Sequence, residues 1–152
     1  MIEHFENITS EEFKTLTDTI ARITILIGGA DGTLSPEEKR DAKKLTKIRS
    51  YANAESLHGF YKKVGENFLE VLDTEYELLP GIVDDRANVL VEKIKLVNDI
   101  LPKLEQPIGH ELYKSYVSFA QHVAKCSGGF LDFLSVSAAE DKWMDLNMIN
   151  PV

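Results

Sequence analysis

The chain has 152 residues, and its 17 Lys and Arg against 25 Asp and Glu give a formal net charge of −8 at pH 7. A domain of this length buries roughly 68–70% of its unfolded surface, so it can fold without disulfide or metal staples. The 43% hydrophobic content excludes a disordered acidic tail. The acidic balance argues against a nucleic-acid partner, which would require a clustered basic face. We expect one domain over residues 1–152, with its core at about 10–150.

The location of the protein is predicted from what the sequence lacks. Cys126 is the single cysteine, which excludes an internal disulfide and fits a reducing compartment. The first residues have neither a basic nor an apolar segment of the signal-peptide kind. No run approaches 18 apolar residues, so no membrane span is expected. These features predict a cytoplasmic protein.

Apolar residues recur at steps of three and four along four stretches, which is typical of amphipathic helices. In chain order, these stripes are Phe13, Leu16, Ile20, Ile23 and Ile27; Leu57, Phe60, Val64, Phe68, Leu72 and Tyr76; Ala87, Leu90, Ile94, Val97, Leu101 and Leu104; and Leu112, Tyr116, Phe119, Val123 and Cys126. Shorter helices are predicted around Ala42, Leu45 and Ile48, and around Ala139, Trp143 and Leu146. No stretch alternates usefully with period two. The pattern predicts an all-α bundle of about six helices.

Three helix starts carry the same signal. Thr9–Glu12, Ser35–Glu38 and Ser137–Glu140 each place a hydroxyl residue three positions before a glutamate. This is the capping box, in which each of the two side chains accepts a hydrogen bond from a backbone N–H at the helix start. Pro102 should end or kink the fourth helix, because its ring clashes with the carbonyl four residues earlier.

The helix starts also reveal a weak internal repeat. Gly28-Gly29 is followed 100 residues later by Gly128-Gly129, and each pair precedes a short loop and a capping box. We expect a duplicated architecture around a central hairpin of two helices, at roughly 54–78 and 83–104. Chance similarity between two amphipathic helices is the alternative.

The loop from Gly29 to Glu38 invites comparison with a calcium-binding EF-hand. If Gly32 takes position six, Glu38 falls at position twelve, but positions one and three fall on Ile27 and Gly29, which have no oxygen in their side chains. A standard EF-hand is therefore rejected. A weaker site for calcium or magnesium that uses Asp31, Glu37 or Glu38 stays open. The alternative is a simple turn followed by a capped helix.

The second loop of the repeat contributes further carboxylates. Asp132 lies among Phe130, Leu131, Phe133 and Leu134, which we expect to be buried, with an exposed partner contact as the alternative. If the two halves pack around a pseudo-twofold axis, Asp132 and Glu140 would approach the acids of the first loop, and their repulsion would favour a bound cation. The candidate metal ligands are therefore Asp31, Glu37, Glu38, Asp132 and Glu140.

Motifs for catalysis and for organic cofactors are missing. The four histidines contain no pair spaced as in a zinc helix, and neither glycine pair belongs to a dinucleotide-binding or phosphate-binding loop. Cys126 continues the stripe of its helix and is interpreted as core, and His122 is interpreted as a packed or edge residue. Asp84 and Asp85 are expected to begin a helix, with metal binding as the alternative. We expect no enzyme activity.

Ile27–Gly32 followed by Ser35–Glu38 resembles the Ala-Asp-Gly…Glu signature of TerB-like, tellurite-resistance-associated proteins. The resemblance spans about residues 10–150 and implies an all-helical fold, a cytosolic location, a link to stress or tellurite resistance, and a divalent-metal site. Asp31 and Glu38 match the signature, whereas Phe130 and Leu131 stand where Ala-Asp-Gly would be expected.

The leading hypothesis is therefore a non-enzymatic TerB-like protein that binds a cation and, through the ordered loop, another protein. The alternatives are a helical protein–protein interaction module without metal and a metal-dependent hydrolase.

Overall fold

The computed structural model describes residues 2–52, 54–127 and 142–152. Within these ranges the chain forms six α-helices and no strand. The helices are α1 (Ser10–Gly28), α2 (Pro36–Arg49), α3 (His58–Glu66), α4 (Phe68–Glu77), α5 (Val83–Ile94) and α6 (Ile108–Ser127). Short 3-10 segments cover Glu55–Leu57, Lys95–Asp99 and Leu101–Lys103. The prediction of an all-α fold is confirmed.

Two of the predicted capping boxes begin α1 and α2. The Thr9 hydroxyl accepts from the Glu12 N–H at 3.0 Å, and the Glu12 carboxylate accepts from the Thr9 N–H at 3.0 Å. Ser35 and Glu38 repeat this exchange at 3.1 and 2.8 Å. The third predicted box, Ser137–Glu140, lies outside the described residues.

Helix α1 takes the central position among the described helices. From Asp18 to Gly28 every residue except Arg22 is buried, so the second half of α1 is covered on nearly all sides. It packs against α3, α4, α5 and α6, and more lightly against α2. Helix α1 therefore lies at the centre of the core, and the acidic loop follows its C-terminal end.

The third predicted helix is interrupted. Asn67 has φ −145° and separates α3 from α4, although the predicted stripe stays buried across the break at Val64, Phe68 and Leu72. The break allows the two pieces to face different neighbours, because α3 packs mainly against α2 and α4 mainly against α1. The periodicity therefore predicted burial correctly and continuity wrongly.

The fourth predicted helix ends early. Helix α5 stops at Ile94, and the chain continues in 3-10 segments through Pro102. Val97 and Leu101 are fully buried there, because the 3-10 segments still turn the predicted stripe toward the core. The prediction that Pro102 ends or kinks this helix was wrong in position, because α5 has already ended at Ile94 and Pro102 lies within the 3-10 segment Leu101–Lys103.

The last predicted helix is not α-helical where it is described. Residues 142–149 form turns, yet Leu146 and Ile149 are buried in the core. The Asn98 side chain holds this segment: its amide donates to the Met148 carbonyl at 2.9 Å, and its oxygen accepts from the Asn150 N–H at 2.8 Å. The predicted duplication is not tested, because its second glycine pair and capping box lie outside the described ranges.

Candidate functional site: the acidic loop after α1

A buried arginine closes the loop between α1 and α2. Arg86, which is 4% exposed, donates from Nη2 to the carbonyl oxygens of Gly29 and Gly32, both at 2.6 Å. Its Nη1 donates to the Tyr76 hydroxyl at 3.2 Å. One guanidinium group thereby links the loop to α4 and α5, and these two carbonyl oxygens already have a donor.

Two glycines permit this closure. A Cβ at Gly29 would lie 2.8 Å from the Ile25 carbonyl oxygen and 3.2 Å from Arg86 Nη2, so a side chain would displace the helix end or the guanidinium. Gly32 has φ +149°, a conformation that residues with a side chain rarely adopt. The Gly-Gly and Asp-Gly pairs of the loop therefore have a steric explanation that requires no ligand.

The three candidate ligands of this loop differ in their surroundings. Asp31 and Glu37 are exposed, and Glu38 is half-buried. Glu38 uses Oε1 to accept from the Ser35 N–H as part of the capping box. Among the described residues, no Lys, Arg or His lies within 4.0 Å of any of these three carboxylates.

Glu38 lies in an environment that disfavours its charge. Burial raises the pKa of Glu38 above its ordinary value, the Ser35 hydrogen bonds oppose this, and the nearby carboxylates of Asp31 and Asp41 raise it further. Glu38 and Asp41 also line a cavity of about 10 Å³ between α2 and α6, next to Val123 and Cys126. A positive charge beside Glu38 would relieve this repulsion.

The structure brings only part of the predicted ligand set together. Asp31 and Glu38 interact electrostatically, but the described residues contain no group of three His, Cys, Asp or Glu side chains able to hold a metal ion. Asp132 and Glu140 lie outside the described residues, as does the apolar loop Phe130–Leu134. The convergence of the two predicted halves is therefore not tested.

Two residues of α6 require comment. Cys126, interpreted as core from its spacing, is exposed, because the predicted stripe leaves the core at the last turn of the helix. Burial by its neighbours and the Asp41 carboxylate raise the pKa of the Cys126 thiol, which disfavours the reactive thiolate. His122 is an exposed edge residue, and its Nδ1 lies 3.2 Å from Nη2 of Arg49.

Sequence reasoning missed two buried arginines. Arg49 is 3% exposed and lines a cavity of about 540 Å³ between the ends of α2, α3 and α6. The burial of Arg49 could not be predicted from its position, because an arginine near a helix C-terminus is expected there for its favourable interaction with the helix dipole. The position of Arg86 did indicate a structural role. It lies near the N-terminus of α5, where a positive charge interacts unfavourably with the helix dipole, so its presence there indicates a compensating contact.

No protein-family model, curated protein or solved structure matches this chain. The resemblance to TerB-like proteins therefore rests on the residues of the first loop and on the helical pattern. A further finding concerns length and hydropathy: none of the helices in the described ranges is both long enough and apolar enough to cross a membrane.

Proposed function

We propose that this chain is a non-enzymatic, TerB-like protein of the cytosol that binds calcium or magnesium at the acidic loop after α1. The observation that carries the proposal is the environment of Glu38. Its carboxylate is half-buried, is repelled by the charges of Asp31 and Asp41, and has no cationic partner within 4.0 Å among the described residues. A bound cation would offset this repulsion.

The chemistry of the loop suits a hard cation. Glu38 Oε1 accepts a hydrogen bond from the Ser35 N–H, whereas Oε2 accepts none from the described residues, and the Asp31 side chain is exposed. Magnesium commonly keeps several waters and binds through one or two carboxylates, so two protein ligands can suffice for a weak site. Glu37, Asp132 and Glu140 are the further ligands proposed from the sequence.

Titration with MgCl₂ and CaCl₂, followed by calorimetry and thermal melting, tests this proposal. We expect binding heat and a higher melting temperature at millimolar cation, because a ligand that binds only the folded state stabilises it. Asp31→Asn and Glu38→Gln should abolish both effects. Glu12→Gln is the matched control, because Glu12 has the same place in the other capping box but pairs with Lys103.

Titration of the unaltered chain can by itself contradict the cation-binding proposal. No heat and an unchanged melting temperature at about 10 mM cation would reject the cation site, since this concentration saturates sites with a dissociation constant of about 1 mM. Equal responses of Glu38→Gln and the unaltered chain would reject the assigned ligand. The link to stress or tellurite resistance is supported by the resemblance alone.

A helical protein–protein interaction module is the second candidate, and one surface feature favours it. Leu78 and Ile82, which flank the turn between α4 and α5, are 69% and 67% exposed. These residues lie four positions apart at one turn, and contiguous exposed apolar patches are typical of protein contact sites. If the chain is an interaction module, replacing Leu78 and Ile82 with serine should abolish capture of a partner protein, whereas Asp31→Ala should leave capture unchanged. The reverse result would favour the cation-dependent surface.

A metal-dependent hydrolase has less support. Such an enzyme needs several carboxylates around one or two ions with an open coordination position. The described residues provide no group of three suitable side chains, so this alternative depends on Asp132 and Glu140.

A further inference from the structure

The partly buried Arg22 and the buried Arg49 use their guanidinium groups differently. Arg22 holds Glu75 along one edge: its Nε donates to Oε2 at 3.3 Å and its Nη2 donates to Oε1 at 3.1 Å. Burial alone would raise the pKa of Glu75, but the bonds and charge of Arg22, with those of Lys93, hold it below its ordinary value. The Nε/Nη2 edge is thus filled by a carboxylate in the usual two-pronged geometry.

Arg49 has the same edge largely unused. Its Nη1 is fully engaged, with the Ser115 carbonyl at 3.1 Å, the Ser115 and Ser118 hydroxyls at 3.0 Å, and the Tyr61 hydroxyl at 3.4 Å. Among the described residues, its Nη2 meets only His122 Nδ1, at 3.2 Å. Its Nε is buried and has no hydrogen-bond partner among the described residues. Donors are therefore left over on the edge that binds carboxylates.

The described residues also provide no counter-ion for the charge of Arg49. Arg49 is 3% exposed, and no carboxylate of the described ranges lies within 4.0 Å of it. The rings of Phe119 and Tyr61 lie 5.4 and 5.7 Å from the guanidinium carbon and compensate part of the charge. A buried cation without an anion is costly, so an anion at the open edge would be favoured.

A cavity large enough for such an anion is lined by Arg49. Arg49 and His122 both line the cavity of about 540 Å³, which is within the usual size range of small-molecule sites. Leu57 and Pro107 contribute apolar wall, and Lys114 adds a second positive charge. The one acidic residue of the described lining, Glu111, already accepts a hydrogen bond from the Ser56 hydroxyl.

We propose that this cavity binds a small organic acid, a molecule with one carboxylate and an apolar body. The exposed His122 ring would move away from Nη2 and open this edge of Arg49, and the carboxylate would then accept from Nε and Nη2, as Glu75 does from Arg22. The apolar body would lie along Leu57 and Pro107. This site is separate from the acidic loop, so it holds whether or not a cation binds there.

Octanoate is a suitable probe, used with the full chain in calorimetry and in NMR of the Arg49 Nε–Hε group. We expect binding heat and a shift of the Arg49 Hε resonance, with a much smaller response to octan-1-ol or to acetate, each of which lacks one half of the proposed ligand. No heat and no Hε shift at about 10 mM octanoate would overturn the proposal, because a dissociation constant of about 1 mM would by then be saturated. Tighter binding of octyl phosphate than of octanoate would overturn the carboxylate class.

Two variants separate the guanidinium edge from its neighbours. Arg49→Lys keeps the charge but loses the paired donors, so octanoate affinity should fall by about tenfold or more. Arg22→Lys, whose guanidinium edge is filled by Glu75, is the matched control and should leave affinity unchanged. His122→Ala, an exposed change that should not impair folding, should bind octanoate as tightly as the unaltered chain or more tightly. Loss of binding in His122→Ala would assign the anion to the imidazole and overturn the role of Arg49.

Discussion

Glu12 and Glu38 have the same position in two capping boxes, three residues after the hydroxyl residue that begins α1 or α2. Their surroundings differ. The hydrogen bond from Lys103 lowers the pKa of Glu12, assisted by the bond from the Thr9 N–H. Burial and the neighbouring carboxylates raise the pKa of Glu38. A capping box thus fixes the geometry of a glutamate, whereas the tertiary contacts around it decide which charge state is favoured.

The capping box of Glu12 is therefore interpreted as structural, whereas the capping box of Glu38 is part of the candidate cation site. The carboxylate of Glu12 already has a cation, because Lys103 Nζ lies 2.5 Å from its Oε2. The corresponding oxygen of Glu38 has no such partner among the described residues, and its loop is fastened instead through backbone carbonyls by Arg86. The two boxes can therefore be compared as one pair, with the Glu12 box as the internal control.

Removing the arginine that closes the second loop should have the largest effect. Arg86→Met leaves the carbonyl oxygens of Gly29 and Gly32 without their donor, and we expect a loss of about 2–4 kcal/mol in the free energy of unfolding. Urea unfolding measures this loss. In hydrogen exchange, the Glu38 amide should lose more protection than the Glu12 amide, because only the second box adjoins the loop.

Arg40→Met is the control for Arg86→Met, since Arg40 is exposed on α2 and should change stability by no more than about 0.5 kcal/mol. Equal stabilities of the two variants would show that Arg86 does not hold the loop. Equal loss of protection at both amides would show general destabilisation rather than an effect on the second box.

The sequence predicted the two capping boxes that contain Glu12 and Glu38. Both boxes follow from the spacing of Thr9 and Glu12 and of Ser35 and Glu38, because capping depends on residues within one helical turn.

The four long stripes likewise predicted which faces are buried, except at Cys126, which is exposed. In α2 the predicted face was wrong, because Ile48 is 43% exposed and Thr46 and Arg49 are buried beside Ala42. The break at Asn67 was missed because it follows from which neighbours α3 and α4 pack against, and the spacing of the stripe does not change there.

The candidate sites were predicted only in part, for a related reason. Asp31 lies in the loop and Glu38 in the first turn of α2, only seven residues apart, so their proximity is accessible to sequence reasoning. Arg86 is 54 residues from Gly32, and Arg49 is 66 residues from Ser115. Contacts over such separations depend on how the helices pack, which a single sequence does not specify through periodicity.

Removing the cap hydroxyls should have a smaller effect. Ser35→Ala should lower the free energy of unfolding by about 1–2 kcal/mol, and Thr9→Ala by about 0.5–1 kcal/mol. The difference is expected because the Ser35 box is half-buried, so water replaces the lost hydrogen bond less readily than at Thr9. Urea unfolding of both variants provides the measurement. A larger loss in Thr9→Ala would contradict the burial argument.

The smallest expected effects are those of neutralising the two glutamates, which should have opposite signs. Glutamine preserves a capping box, so Glu38→Gln and Glu12→Gln change mainly the charge. Without added cation at pH 7, Glu38→Gln should raise the free energy of unfolding, by less than about 1 kcal/mol, because an unfavourable charge is removed. Glu12→Gln should lower it, because Lys103 loses its partner. Changes of the same sign would contradict the comparison.

The pH dependence of stability sharpens this test. The folded-state pKa of Glu38 lies above its ordinary value of 4.5, so the folded state binds its proton more tightly, and stability falls as pH rises between the two values. The folded-state pKa of Glu12 is lowered, so its contribution is present above 4.5 and is lost as pH falls through the lowered value. Relative to the unaltered chain, Glu38→Gln should therefore gain stability with rising pH, and Glu12→Gln should lose it.

Magnesium should change the pH profile at one glutamate only. A cation bound beside ionised Glu38 would lower the folded-state pKa of this carboxyl, so the fall in stability with rising pH should weaken or reverse when magnesium is present. The same change should occur in Glu12→Gln, which keeps Glu38, and should be absent from Glu38→Gln. Urea unfolding between about pH 4 and pH 7, with and without magnesium, measures it, because this range spans the ordinary glutamate pKa. If magnesium leaves the pH profile of the unaltered chain unchanged, Glu38 is only a member of its capping box. Its raised pKa is then a consequence of partial burial and not a feature of a binding site.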